Sequence, residues 1–172
     1  TLNCGSRQAA STPAMLPQPA VPDTAEEAAR RQAESDRRRA EETARRQAAW
    51  QRDRAAIEEM IFFEFDRAQL GPESQYVLSA KARVLAAWPD VRLRIDGHAD
   101  ERGSAEYNLA LGMRRAAAAK RYLVDLGVPT ERLEVASFGE ERPFDPRHTP
   151  AAWSRNRRAE FAILSEPLAK QE

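Results

Sequence analysis

The chain has 172 residues, and Lys+Arg and Asp+Glu are equal at 27 each, so no net field draws it toward nucleic acid or anionic lipid. That length holds one ordinary domain plus an extension. No run reaches the roughly 18 apolar residues needed to cross a bilayer, and the lone cysteine, Cys4, excludes an internal disulfide. Residues 1–3 are too short for a secretory leader, so in an exported protein the leader lies outside this sequence.

In chain order, residues 5–23 are mainly Ala, Ser, Pro and Gln, a composition that cannot form a core and reads as a flexible linker. Residues 24–56 switch to Ala, Glu, Arg and Gln without glycine or proline, which is a charged helix. Glu26–Arg30, Glu27–Arg31, Glu34–Arg38, Glu41–Arg45 and Glu42–Arg46 are acid-before-base pairs at i,i+4, the favourable orientation. Thr24 and Glu27 have the spacing of a capping box. Its apolar residues are nearly all alanine, a weak seam for a coiled coil. It is either a solitary spacer, about 50 Å long at the usual rise, or a loose coiled coil.

The globular part is expected over residues 57–166, followed by a tail at 167–172. Residues 61–65 form a short strand, 66–71 a loop, and 72–88 a helix with Pro72 in its first turn. That helix is expected to bury Tyr76, Leu78, Ala80, Val84, Leu85 and Trp88. Residues 91–95 alternate as a half-buried strand. The longest helix of this part covers 104–126, with Leu109, Gly112, Ala116, Ala119, Leu123 and Leu126 inward and Gly127 ending it. A strand at 133–138, a helical turn at 149–156 and a strand at 158–164 follow. The order β-α-β-α-β-β indicates an α/β (α+β) two-layer sandwich with a mixed four-stranded sheet.

Residues 95–116 carry the chemistry. A strand runs into a glycine-bounded acidic loop, then into a helix with Asn108 and Arg115 seven residues apart and so on one face. Asp100 at the strand end and Arg115 on the helix form a receptor for a zwitterion. An ammonium seeks the carboxylate, and a carboxylate seeks the guanidinium fork. This implies binding, not bond-breaking. No Gly-x-Ser-x-Gly elbow occurs, and the loop between Gly97 and Gly103 fits no nucleotide fingerprint, so no cofactor is implied. His98, Asp100 and Glu101 adjoin, but His148 stands in another loop, and no metal site is expected. His98 is read as a structural hydrogen-bonder. The basic run Arg155-Asn-Arg-Arg158 is followed by Glu160, and it reads as a solvated loop or a further anion contact.

Five blocks resemble the OmpA-like peptidoglycan-binding domain: Phe62-Phe-Glu-Phe-Asp66, Gly97-His-Ala-Asp-Glu-Arg-Gly103, Glu106-Tyr-Asn-Leu-Ala-Leu-Gly-Met-Arg-Arg-Ala116, Ser137-Phe-Gly-Glu-Glu-Arg-Pro143 and Asn156-Arg-Arg-Ala159. The loop and the Tyr-Asn that follows it are similar to the lipoprotein branch rather than to porin-fused members. The resemblance implies non-covalent binding of peptidoglycan stem peptides at diaminopimelate. Asp100 and Arg115 would grip the zwitterionic side chain, with Asp66, Ala99, Asn108, Leu111 and Arg158 lining the same groove. On this reading Arg115→Ala and Asp100→Ala each abolish binding and leave the fold intact. The resemblance also implies a lipidated cysteine at Cys4, although Thr1 and Asn3 stand where leucine and a small residue are usual. It further implies an outer-membrane location on the periplasmic face and a partner in the periplasmic β-propeller of the Tol system. Two other readings share the pattern: an envelope scaffold using residues 24–56 for a partner helix, and a stator-type domain.

Overall fold

Residues 24–167 are described by the computed structural model; the linker at 5–23, Cys4 and most of the C-terminal tail lie outside the described residues. Helix α1 spans Ala25–Glu58. It opens on the capping box: the Glu27 amide donates to Thr24 Oγ1, and the Thr24 amide donates to the Glu27 carboxylate, each at 3.3 Å. Arg30–Glu26 and Arg38–Glu34 are exposed i,i+4 ion pairs, each worth about 0.3 kcal/mol. Among the described residues no helix is long and apolar enough to cross a membrane.

The chain divides into two units, with the second beginning at Glu41. That second unit therefore includes the C-terminal turns of α1, ahead of the expected boundary at 57. Trp50 and Ile57 are buried there, and Trp50 meets Trp88 edge-on at 5.4 Å between ring centroids. The Trp88 indole N–H donates to Asp53 at 2.7 Å. A buried ammonium closes the end of α1: Lys81 donates to the carbonyls of Ala56, Ile57 and Glu59. These carbonyls have no partner within the helix, which is why a cation is accepted there. Burial pushes the Lys81 pKa down to about 7, opposed by the nearby charge of Glu59.

The remaining elements are β1 (Ile61–Phe62), α2 (Pro72–Ala87), β2 (Arg92–His98), α3 (Ala105–Asp125), β3 (Leu133–Gly139), α4 (Pro150–Asn156) and β4 (Arg158–Ser165). The sheet order is β1-β4-β2-β3. β2 runs parallel to β3 and antiparallel to β4, so the sheet is mixed as expected. Leu93 and Ile95 of β2 point into the core, while Arg94 turns away to pair with Asp96 at 2.7 Å.

Two expected faces are shifted. Leu109 and Leu126 are exposed, and the inward stripe of α3 instead includes Asn108, Leu111 and Arg115. Tyr76 is 73% exposed, and Val77, Lys81 and Ala82 take its place on the inner face of α2. Polarity misleads here, because Asn108, Arg115 and Lys81 are buried to serve backbone carbonyls and a neighbouring carboxylate. The close approach of α3 to β2 is set by two glycines. A Cβ on Gly97 would lie 1.9 Å from the Gly112 carbonyl oxygen, and one on Gly112 would lie 2.3 Å from Ser137 Oγ. Neither position admits a side chain.

Candidate functional site

The site lies at the C-terminal end of β2, where the chain on either side leaves the regular ladder. β1 is only two residues long, against the five expected. The reason is visible in the carbonyls just past it: Phe63 O accepts from Arg157 Nε at 3.0 Å, and Glu64 O accepts from Arg115 Nη2 at 3.1 Å. Two arginines thus draw the backbone out of the sheet. Asp66 then adopts φ +55°, the left-handed region that Asp tolerates better than most residues. This conformation sends its carboxylate toward α3, where it accepts from the Tyr107 hydroxyl. That bond raises the Tyr107 pKa.

Arg115 is fully buried. Its guanidinium donates to Arg67 O at 2.9 Å, to His98 O at 2.7 Å and to Glu64 O at 3.1 Å, with its carbon 5.2 Å from the Phe63 ring centroid. Burial, and then the charge of Arg157, push its pKa down to about 10, so it stays charged at neutral pH. The expectation that Arg115→Ala leaves the fold intact is therefore corrected: truncation strands three carbonyls. These bonds use three of the five guanidinium N–H groups.

Asp100 is also buried and does not stand open. Arg102 grips it with Nε at 3.0 Å and Nη2 at 2.7 Å, and Arg157 Nη1 adds a third contact at 3.2 Å. Burial alone raises the Asp100 pKa, but the hydrogen bonds from Arg102 and Arg157 outweigh it and hold the carboxyl below its ordinary value. The Arg102 guanidinium sits between two rings, 4.0 Å from the Phe65 centroid and 4.4 Å from that of Trp153. Trp153 is fixed in turn by donating to Glu101 at 2.7 Å.

Asp66, Asp100, Asn108, Leu111 and Arg115 line one cavity of about 250 Å³. Five of the seven expected groove residues are thus brought together. Asn108 is held by Glu140 and by the Arg102 carbonyl. Ala99 is buried behind the wall, where its amide donates to Gly139 O at 2.8 Å. Arg158 is a correction: it faces away, paired with Glu160 and donating to Arg142 O at 3.2 Å. Arg157 occupies the wall instead. One residue reverses the face along a strand, and the inward run Ala159–Phe161 marks odd numbers as the helix-facing parity. That alternation was the available signal. Arg102, Phe65 and Tyr107 were also missed; for Arg102 the clue is its place two residues after Asp100 in a tight loop.

His98 is corrected too. It is 2% exposed, both ring nitrogens lack a hydrogen-bond partner among the described residues, and the ring stacks on Phe138 at 5.5 Å. Burial, and then the charge of Arg158, lower its pKa to about 4.

The OmpA family model matches residues 62–157. The peptidoglycan-associated lipoprotein of Brucella melitensis is 46% identical over 103 residues, covering 60% of this chain and 61% of the relative. That of Pseudomonas aeruginosa is 44% identical over 111 residues, covering 63% and 66%. The chain therefore spans about three fifths of the length of the Brucella relative it matches. Among solved structures, the peptidoglycan-associated lipoprotein from Burkholderia pseudomallei superposes with TM-score 0.59 at 39% identity, covering 60% of this chain and 88% of that one. The C-terminal domain of Helicobacter pylori MotB also gives 0.59, at 19% identity over 63% and 85%, a likeness of fold alone.

Proposed function

The chain belongs to the OmpA family, and from that premise we propose that residues 57–166 bind the stem peptide of peptidoglycan at diaminopimelate, without breaking a bond. The observation that carries this reading is the sharing of one cavity wall by Asp100 and Arg115. The name of these relatives, peptidoglycan-associated lipoprotein, supports it. The ligand's ammonium approaches Asp66 and Asp100, and its carboxylate takes the remaining donors of Arg115. Because Arg102 already grips Asp100, an incoming ammonium displaces that fork, which the two flanking rings then retain. Ion pairs made in a partly desolvated groove favour an acidic, zwitterionic stem over a neutral one.

In the whole protein this binding tethers the outer membrane to the wall. Cys4 carries the lipid anchor, the domain faces the periplasm, and the periplasmic Tol β-propeller is the partner. Residues 24–56 act as the spacer. The test is a pull-down of the full chain with purified sacculi, competed by free diaminopimelate. Asp100→Asn keeps the shape of the side chain, and it should lose retention while still folding, with a lowered melting temperature as its pairs with Arg102 and Arg157 weaken. Retention of a folded Asp100→Asn protein at the parent level would sink the assignment.

A further inference from the structure

A zwitterion needs one cation and one anion from its receptor, and this groove has more cations than that. Arg102, Arg115 and Arg157 face Asp66 and Asp100 in the first cavity. A second cavity of about 490 Å³ shares Asp66 with the first and is lined by Arg67, Arg114 and Arg121. Arg114, Ala117 and Arg121 are spaced i, i+3, i+7 on α3, and they form the stripe beside the one that holds Asn108, Leu111 and Arg115. Arg67 is the residue whose carbonyl receives Arg115, so the two cavities meet at one backbone segment.

Among the described residues these three arginines grip no carboxylate, unlike several others of the fold. Arg94, Arg102, Arg147 and Arg158 each grip a carboxylate of the fold. Among the described residues, Arg67, Arg114 and Arg121 have no such ion pair, and the side-chain contact of Arg114 is the Tyr107 ring at 5.6 Å. Asp66, the one acid in this wall, is engaged with Tyr107.

We propose that Arg67, Arg114 and Arg121 form a second subsite that takes another free carboxylate of the same stem peptide, next along from diaminopimelate. This rests on the reading of the first cavity given above. A carboxylate suits the place better than a lipid phosphate. The two cavities share the Asp66 wall, so an anion held here adjoins a peptide held in the first cavity, an arrangement a bilayer headgroup does not require.

The test is titration of the full chain with L-alanyl-γ-D-glutamyl-meso-diaminopimelate and with the same tripeptide amidated at the glutamate α-carboxyl. The parent should bind the acidic form more tightly. The double variant Arg114→Gln/Arg121→Gln should lose about fivefold to tenfold on the acidic form, the scale of two exposed charge contacts, and less than about twofold on the amidated one. Equal losses on both forms, or no loss on either, would overturn the second subsite. The first cavity still stands in that case if Asp100→Asn loses both ligands. A parent that binds neither tripeptide removes both readings. Phosphatidylglycerol vesicles form the last arm: a double variant that loses vesicles and keeps its tripeptide affinity overturns the proposal in favour of a lipid headgroup.

Discussion

The two ends of β2 use the same device for different ends. At its N-terminal end Arg132 is spread over three carbonyls, Leu85 at 3.0 Å, Trp88 at 2.7 Å and Val91 at 2.9 Å. At its C-terminal end Arg115 is spread over Arg67, His98 and Glu64 in the same way. Burial lowers the pKa of both. The first arginine staples a loop to a helix end. The second does that and also faces a cavity holding two carboxylates. A buried arginine on carbonyls is thus no sign of a site by itself. What distinguishes the second is the cavity beside it, with acids placed opposite.

The sharpest way to break this comparison is to remove each arginine in turn. Arg115→Met and Arg132→Met should both destabilise the fold by about 3 kcal/mol or more, since each strands three buried carbonyls. Chemical denaturation measures that loss. Among folded molecules, only Arg115→Met should lose sacculus binding. If folded Arg132→Met protein also fails to bind, the division between structural and ligand-facing ends collapses.

Acid should act at the site end. The folded His98 pKa is near 4, below the ordinary value of about 6.5. A depressed pKa gives stability that is complete above about 6.5 and is lost as pH falls toward 4, because the unfolded state takes the proton first. The loss is at most about 3.5 kcal/mol at roughly 1.4 kcal/mol per unit. His98→Phe should flatten the stability profile between these pH values. An unchanged slope would place the acid sensitivity elsewhere.

Lys81→Met is the matching change away from the site, over Phe161 at mid-strand. Losing the donor to three carbonyls of the α1 terminus should cost about 2 kcal/mol and loosen the contact of Trp50 with Trp88, which near-ultraviolet circular dichroism reports. Binding should stay at the parent level. The smallest expected effect is that of Tyr107→Phe, with stability within about 0.5 kcal/mol of the parent and affinity about twofold lower as Asp66 loses its aim. A tenfold fall would make Asp66, rather than Asp100, the main anchor for the ammonium.

Much of this was legible in the chain itself, because it depends on near neighbours. The capping box at Thr24, the proline-started α2, the alternation of β2 and β4 and the helix beginning at Ser104 are all set within a few residues. So is the placing of Asp100 just beyond a strand and Arg115 on the helix that follows. What only the tertiary structure decided is which way polar side chains face. Arg157 rather than Arg158 enters the groove because β4 is registered against β1 and β2 over roughly a hundred and some sixty residues of chain. Arg115, Asn108 and Lys81 are buried because carbonyls and an acid from distant segments await them. Trp50 joins the core because Trp88 is there to meet it. Local periodicity assigns polar residues to water by default. A buried cation is an exception that its distant partners create.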